Sequence, residues 1–480
     1  MDTEIKRLLI LGNGFDLTCK LPTKYEDFFN YRFGLNLKCK ERIIYKGLNS
    51  ISEHNYQKLM RKVQKGFDDY LKNFFENPKN KNITYNTISR AFKRKLSKLA
   101  PYIFKRYKVE VPKMYIKEYK KIQQINFNEW DAILLLGRYS IKSYTLSNWC
   151  DIEWLISNVL HCIFDPKHIN KIIFKDDKSK AIFTSYLSNM YRKKFALKPV
   201  NVVARDLRIE LNKFENTFRA YIFNLTNNDK KKENIYYSRV TQLLESLIYG
   251  QNKKENLVDI MNFNYTLDIR IIDYFRDHPD QTRLSSRNIN SWLNVHGTCI
   301  TEDKKIETYI KKICKEYYGI YIQNINDFPK IIFRIDNNDI SRESPLRFFT
   351  KDFRTTENGT YQFMTGSFQD KYEVITIMGH SLNEADYSYF SDIFDKLKIL
   401  ENSNKLPIIE YYYYPGDNDS ANRLDAVDKL QNIINLYGLK HQYKGSLFQK
   451  VRSHIKILRD PRLKYDNKEF NFSEFGSMID

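Results

Sequence analysis

The sequence contains no Cys-x-x-Cys pair. Its six cysteines, Cys19, Cys39, Cys150, Cys162, Cys299 and Cys314, are scattered through 480 residues. Sparse thiols without paired spacing argue against a zinc module and against a disulfide-stapled secreted scaffold; they fit a reduced, cytosolic chain. No metal is expected. Long apolar runs are missing too. The strongest, residues 132–136, falls far short of the ~20 residues that span a bilayer. Met1-Asp2-Thr3-Glu4 begins without the positive charge and apolar stretch of a secretion signal. A cytoplasmic protein that stays out of membranes is expected.

The chain has ample material for a core. Hydrophobic residues make up 42% and aromatic residues 15%, which excludes a disordered chain. A length of 480 residues predicts two or three domains. Lys and Arg number 79 against 58 Asp and Glu, a net charge of +21. Such a charge attracts polyanions or anionic substrates without naming one.

Short apolar runs at residues 8–11, 258–262, 292–295, 331–335, 374–378 and 408–413 read as buried strands. Helical spacing lies between several of them, so a mostly parallel α/β core is predicted. Residues 56–254 differ, with mainly helical spacing at 88–107, 154–163, 203–225 and 236–249. Periodicity leaves 132–137 open between strand and helix. The predicted organisation is a discontinuous core, 1–55 and 255–450, split by a helical insertion at 56–254 and followed by a tail at 451–480. The alternative is a separate helical domain between two unrelated modules. Within the insertion, residues 61–121 hold 18 basic and 5 acidic residues, and Arg90, Arg94 and Lys98 share helical spacing. Such a stripe is either a solvated helix face or a nucleic-acid surface.

The first predicted strand runs into Gly12-Asn13-Gly14-Phe15-Asp16. Glycines in such a turn permit packing alone, or the close approach of a ligand; N–H groups at a following helix start can hold a pyrophosphate. Leu17 stands where a dinucleotide dehydrogenase has its third glycine or alanine, and no acidic residue follows a strand about 20 residues on. Both departures argue against hydride transfer. Three further segments follow predicted strands: Asn262-Phe263-Asn264-Tyr265-Thr266, Val295-His296-Gly297, and Gly379-His380-Ser381-Leu382 with Asp386 beyond.

Together with Leu21-Pro22-Thr23, Tyr25 and Phe28, this ordered set resembles the abortive-infection AbiH family. It is also similar to sirtuins: Gly12, Gly14 and Pro22 match the NAD loop, and Asn264 and His296 match the catalytic Asn and His. The resemblance implies a Rossmann-like, sirtuin-like sheet split by the basic insertion. It further implies an antiphage effector that binds NAD as a substrate and hydrolyses its nicotinamide–ribose bond. Gly12, Asn13, Gly14, Phe15, Asp16, Pro22, Gly379, His380 and Ser381 would hold the nucleotide. Asn264 would position water or ribose, and His296 would accept a proton. The plain alternatives are a turn-capping Asn264 and a structural His296.

Several positions depart from these families. Asp16 replaces a sirtuin serine, Lys20 a glycine, and Thr266 the aspartate two residues after the catalytic Asn. The zinc module of deacylases is missing, which argues against protein deacylation. Arg334 stands where AbiH proteins usually have glycine; it either contacts an acidic group or points to solvent. Two other functions stay open at this point: a nucleic-acid-directed effector using residues 61–121, and a non-catalytic interaction protein that senses a nucleotide. A phage-derived trigger and a second copy of the chain, forming a homo-oligomer, are further partner expectations.

Overall fold

The structure is a computed structural model. It describes residues 7–461 except 22, 34–43, 46–52, 79–82, 93–108, 111–126, 143–149, 228–229, 250–256, 267–270, 300–310, 313–314, 316–328, 336–339, 361–367, 369–371, 384–385, 402–405 and 417. The chain divides into two compact units. The first takes in 1–23, 218–342 and 349–464, and the second 24–217, 343–348 and 465–480.

In the first unit β1 (Arg7–Leu11), β2 (Val258–Asn262), β3 (Ile289–Asn294), β4 (Val374–Met378), β5 (Ile408–Tyr413) and β6 (Ile455–Arg459) form one sheet in the order 3-2-1-4-5-6. Every pairing is parallel. Leu11 is level with Asn262 and Met378, and Asn262 with Asn294. The loops after β1, β2, β3 and β4 therefore leave one edge of the sheet together. Strand order reverses between β1 and β4, and open α/β sheets bind ligands at such a point.

Alternation along the strands builds a core on each face. Leu9, Leu11, Ile260 and Trp292 pack with Val240, Leu243, Leu244 and Leu247. Leu8, Ile10, Ile375, Ile377 and Ile409 pack with Phe390, Phe394, Leu430 and Ile434. These partners come from helices. α1 (Asn13–Thr18) follows β1, α2 (Lys230–Tyr249) and α3 (Ile271–Asp277) flank β2, α4 (Lys351–Glu357) precedes β4, and α5 (Tyr387–Lys396) and α6 (Asp419–Lys440) flank β5. The apolar residues of α2 recur every three or four positions, which gives a helix one buried stripe. α2 thus belongs to the sheet unit, although its spacing reads like that of the insertion.

Two further segments differ from expectation. Residues 331–335 form no strand of the sheet, only isolated parallel bridges, Thr298 with Lys330 and Ile335 with Thr350. Their backbone groups pair elsewhere: Ile332 N–H with His296 O, Ile335 N–H with Phe349 O at 3.0 Å, and Ile335 O with Lys351 N–H at 3.0 Å. The segment runs beside the residues after β3, where no ladder continues. Conversely, β6 lies within the expected tail and pairs with β5.

The second unit is largely helical, with Glu53–Phe75, Glu129–Ser140, Cys150–Phe164, Asp177–Lys194 and the start of Val200–Asn227. Residues 132–137 are helical. Asn128 Oδ1 accepts from Asp131 N–H and Asp131 Oδ2 accepts from Asn128 N–H, a capping box that fixes the helix start. The same carboxylate receives Arg32 through two hydrogen bonds, the longer 2.6 Å, with both partners buried. Of the basic stripe, Arg90 is described and exposed, while Arg94 and Lys98 lie outside the described residues, as does most of 93–126. Helix Glu53–Phe75 exposes Lys58, Arg61, Lys65 and Lys72, with Asp68 and Asp69 among them. Among the described residues no helix is long and apolar enough to cross a membrane.

Candidate functional site

The loops after β1 and β4 touch backbone to backbone. A Cβ on Gly12 would lie 2.4 Å from His380 Cα, and one on Gly379 would lie 2.1 Å from Phe15 N. Gly379 also has φ +69°, which favours glycine. Gly12 N–H donates to Met378 O at 2.9 Å, Gly14 N–H to Gly379 O at 2.8 Å, and Phe15 N–H to Gly12 O at 2.9 Å. The glycines therefore join two strand ends, and these three N–H groups are spent within the protein. Phe15 lies in the core. Asp16, 1% exposed, accepts from Tyr236 OH at 2.7 Å and from the Thr266 hydroxyl. Burial pushes the Asp16 carboxyl up to about 6, against those two hydrogen bonds, which lower it.

The loop after β2 is held by a network of carboxamides. Asn262 Nδ2 donates to Asn294 Oδ1 at 2.9 Å, Trp292 Nε1 donates to the same oxygen at 2.9 Å, and Asn262 Oδ1 accepts from Asn264 N–H at 3.1 Å. These contacts fix the backbone of Asn264 and leave its side chain unused. Asn264 is 1% exposed, and neither its Oδ1 nor its Nδ2 has a hydrogen-bond partner. Buried polar groups are normally paired, so an unpaired carboxamide at the strand ends calls for an explanation, and a received water or ligand is one.

The loop after β3 presents His296, also buried. Its Nδ1 is 3.2 Å from Tyr265 OH, and its Nε2 has no hydrogen-bond partner. Asp386, just before α5, reaches into the same cluster. Its Oδ1 lies 2.8 Å from Lys351 Nζ and 3.8 Å from His296 Nε2, and its Oδ2 lies 3.3 Å from His380 Nε2. His380 Nδ1 accepts the Leu382 N–H at 3.0 Å, so the ring proton is on Nε2 and faces Asp386. Arg334 completes the group. It is 1% exposed and donates from Nη1 to Thr355 Oγ1 at 2.8 Å and to Tyr389 OH at 2.6 Å. It does not point to solvent.

Charge and burial set the chemistry. Burial drives the His296 imidazole well below its ordinary value; Arg334, Lys351 and His380 push the same way, while Asp386 opposes them. His296 is therefore neutral near pH 7 and able to take a proton. Burial works to raise Asp386, but the Lys351 ammonium and the hydrogen bond from His380 outweigh it and hold the carboxyl well below the usual carboxylate range. Among the described residues no cluster of His, Cys, Asp and Glu is arranged to hold a metal ion.

The structure thus brings Asn264, His296 and His380 to one edge of the sheet, with the Gly12 and Gly379 loops packed beside them. Asn13 is half-buried and Ser381 exposed in those loops. Pro22 lies outside the described residues. Sequence reasoning did not single out Lys351, whose surroundings carry no motif. It had Asp386 only as the end of the last motif. A protein-family model described as Bacteriophage abortive infection AbiH matches residues 8–405. No curated protein and no solved structure matches the chain.

Proposed function

The chain belongs to the bacteriophage abortive infection AbiH family, and on that premise we propose that it is an antiphage effector that binds NAD and hydrolyses its nicotinamide–ribose bond. The observation that carries the reading is the pair of orphaned buried groups, the Asn264 carboxamide and His296 Nε2, at the C-terminal edge of the sheet. The strand order 3-2-1-4-5-6 supports a Rossmann-like, dinucleotide-directed core, because that order is the one such folds use.

In this reaction the ribose C1′–nitrogen bond breaks through an oxocarbenium-like state, as in glycosidic cleavage. Nicotinamide leaves with the bonding electron pair and water adds to C1′. Asn264 holds the water or the ribose hydroxyls, and His296 Nε2 takes the proton that the water loses. The products are nicotinamide and ADP-ribose. With the N–H groups of Gly12, Gly14 and Phe15 engaged internally, Asn13 and Ser381 are the side chains of the two glycine loops that meet the nucleotide.

The test is to incubate purified wild type, Asn264→Ala and His296→Ala with NAD and follow nicotinamide and ADP-ribose. Wild type is expected to release both, and each variant to lose about 10²–10⁴-fold in rate. Equal release by His296→Ala, or none by wild type taken from phage-infected cells, would overturn the reading.

A further inference from the structure

We propose that Asp386 is the anchoring carboxylate of His296: it touches no substrate, but it holds the imidazolium that forms when His296 accepts a proton. The proposal rests on the reading of His296 as a base and adds the residues that control it. Three separate segments converge to make the arrangement. His296 follows β3, Lys351 opens α4, and His380 and Asp386 lie between β4 and α5.

Asp386 is itself tightly held. Lys351 Nζ sits 2.8 Å from Oδ1, and the Nε2 proton of His380 faces Oδ2 from 3.3 Å. The His380 tautomer that makes this possible is imposed by the Leu382 N–H, and Leu382 holds a left-handed backbone at φ +52°. Non-glycine residues rarely adopt that conformation, which collects at functional sites. The third approach to Asp386 is His296 Nε2, 3.8 Å from Oδ1, too far for a hydrogen bond while the nitrogen is bare. Once His296 is protonated, its positive charge stands beside an ionised carboxylate at that distance and is stabilised by it through space.

The groups that face His296 are Tyr265 from the β2 loop, Arg334 from the segment beside it, Lys351 from α4, His380 from the β4 loop and Asp386. Burial first, and then Arg334 and Lys351, keep the resting imidazole neutral; Asp386 favours its charged form. The balance gives a base that is free at rest and supported once loaded. Asp386 is a positioning residue that acts through its charge: it faces Nε2, whereas the carboxylate of a hydrolase triad holds the opposite ring nitrogen, a place taken here by Tyr265.

Histidine NMR titration of the full chain tests this without any turnover, with the His296 signal assigned by its loss in His296→Gln. Lys351→Met removes the cation but leaves the carboxylate. It is expected to move His296 titration to higher pH than in the wild type, since Lys351 is one of the charges that oppose protonation, and no upward movement overturns the proposal. Adding Asp386→Asn to that variant is expected to abolish the rise. A rise that persists in the double variant overturns the proposal. Should Lys351→Met not fold, Asp386→Asn and Asp386→Glu decide by kinetics. Asp386→Asn is expected to lower kcat about 10²-fold or more with KM little changed, and Asp386→Glu to recover part of it. An unchanged kcat in Asp386→Asn overturns the proposal. A titration that behaves as expected in a protein that releases no nicotinamide leaves the anchor standing and removes only the NAD reaction.

Discussion

Asp16 ties three distant parts of the chain together. Its carboxyl is buried, pushed up to about 6, and tied to Tyr236 and Thr266. A carboxyl with a raised folded value binds its proton more readily in the folded state. The resulting stability is fully present below the ordinary 3.8 and is lost as pH rises through about 6. That difference corresponds to about 3 kcal/mol. Asp16→Asn removes the titration. Urea melts at pH 4.5 and pH 7.5 are therefore expected to show the variant gaining on wild type at the higher pH; parallel curves would sink this account. The identity of Asp16 was legible in the sequence but its role was not, because its partners Tyr236 and Thr266 lie more than two hundred residues away along the chain. Asn264 and His296 could be singled out as candidates because each lies two residues beyond a strand end. Lys351 follows none, and only the tertiary structure brings it to Asp386.

At the scale of elements, the β1 and β4 loops meet backbone to backbone. They approach so closely that Gly379→Ala would drive a methyl group against the Phe15 amide at 2.1 Å, in a left-handed conformation. The cost is expected to exceed about 3 kcal/mol. Nicotinamide release should fall with it, though no reacting group is altered. A Gly379→Ala protein with the wild-type melting temperature would show that the loops part easily. Five strands could be read from apolar runs, since buried parallel strands lack polar alternation. β6 escaped notice because Ile-Lys-Ile-Leu-Arg is a half-solvated edge strand whose charges break the run. Residues 331–335 misled for the opposite reason: they are buried without joining the ladder, and burial is what an apolar run reports. The helix Glu129–Ser140 is settled by its capping box, a signal that was present in Asn128 and Asp131.

Across the whole molecule, the strand order could not be read from the sequence. β1 pairs with β2 across residues 12–257 and with β4 across residues 12–373. What the sequence did carry was the shared position of four motifs at strand ends, enough to predict one edge but not which strands adjoin. The charge of +21 poses a second question at this scale, because the site cluster of Asn264, His296, Lys351, His380 and Asp386 falls wholly in the first unit. Arg61 and Lys65 are exposed on a helix of the second. If the basic face serves nucleic acid independently of the chemistry, Arg61→Glu with Lys65→Glu should weaken binding to a fluorescent single-stranded oligonucleotide. The salt dependence of that binding should also become shallower, since every phosphate that a cation ceases to neutralise takes about one counterion out of the slope. Nicotinamide release by the same double variant should stay within about two-fold of wild type, because neither residue is among the charged groups that act on His296 or Asp386. Loss of nicotinamide release together with oligonucleotide binding would mean that the basic face and the site work as one device. Unchanged binding would assign these charges to solvation alone.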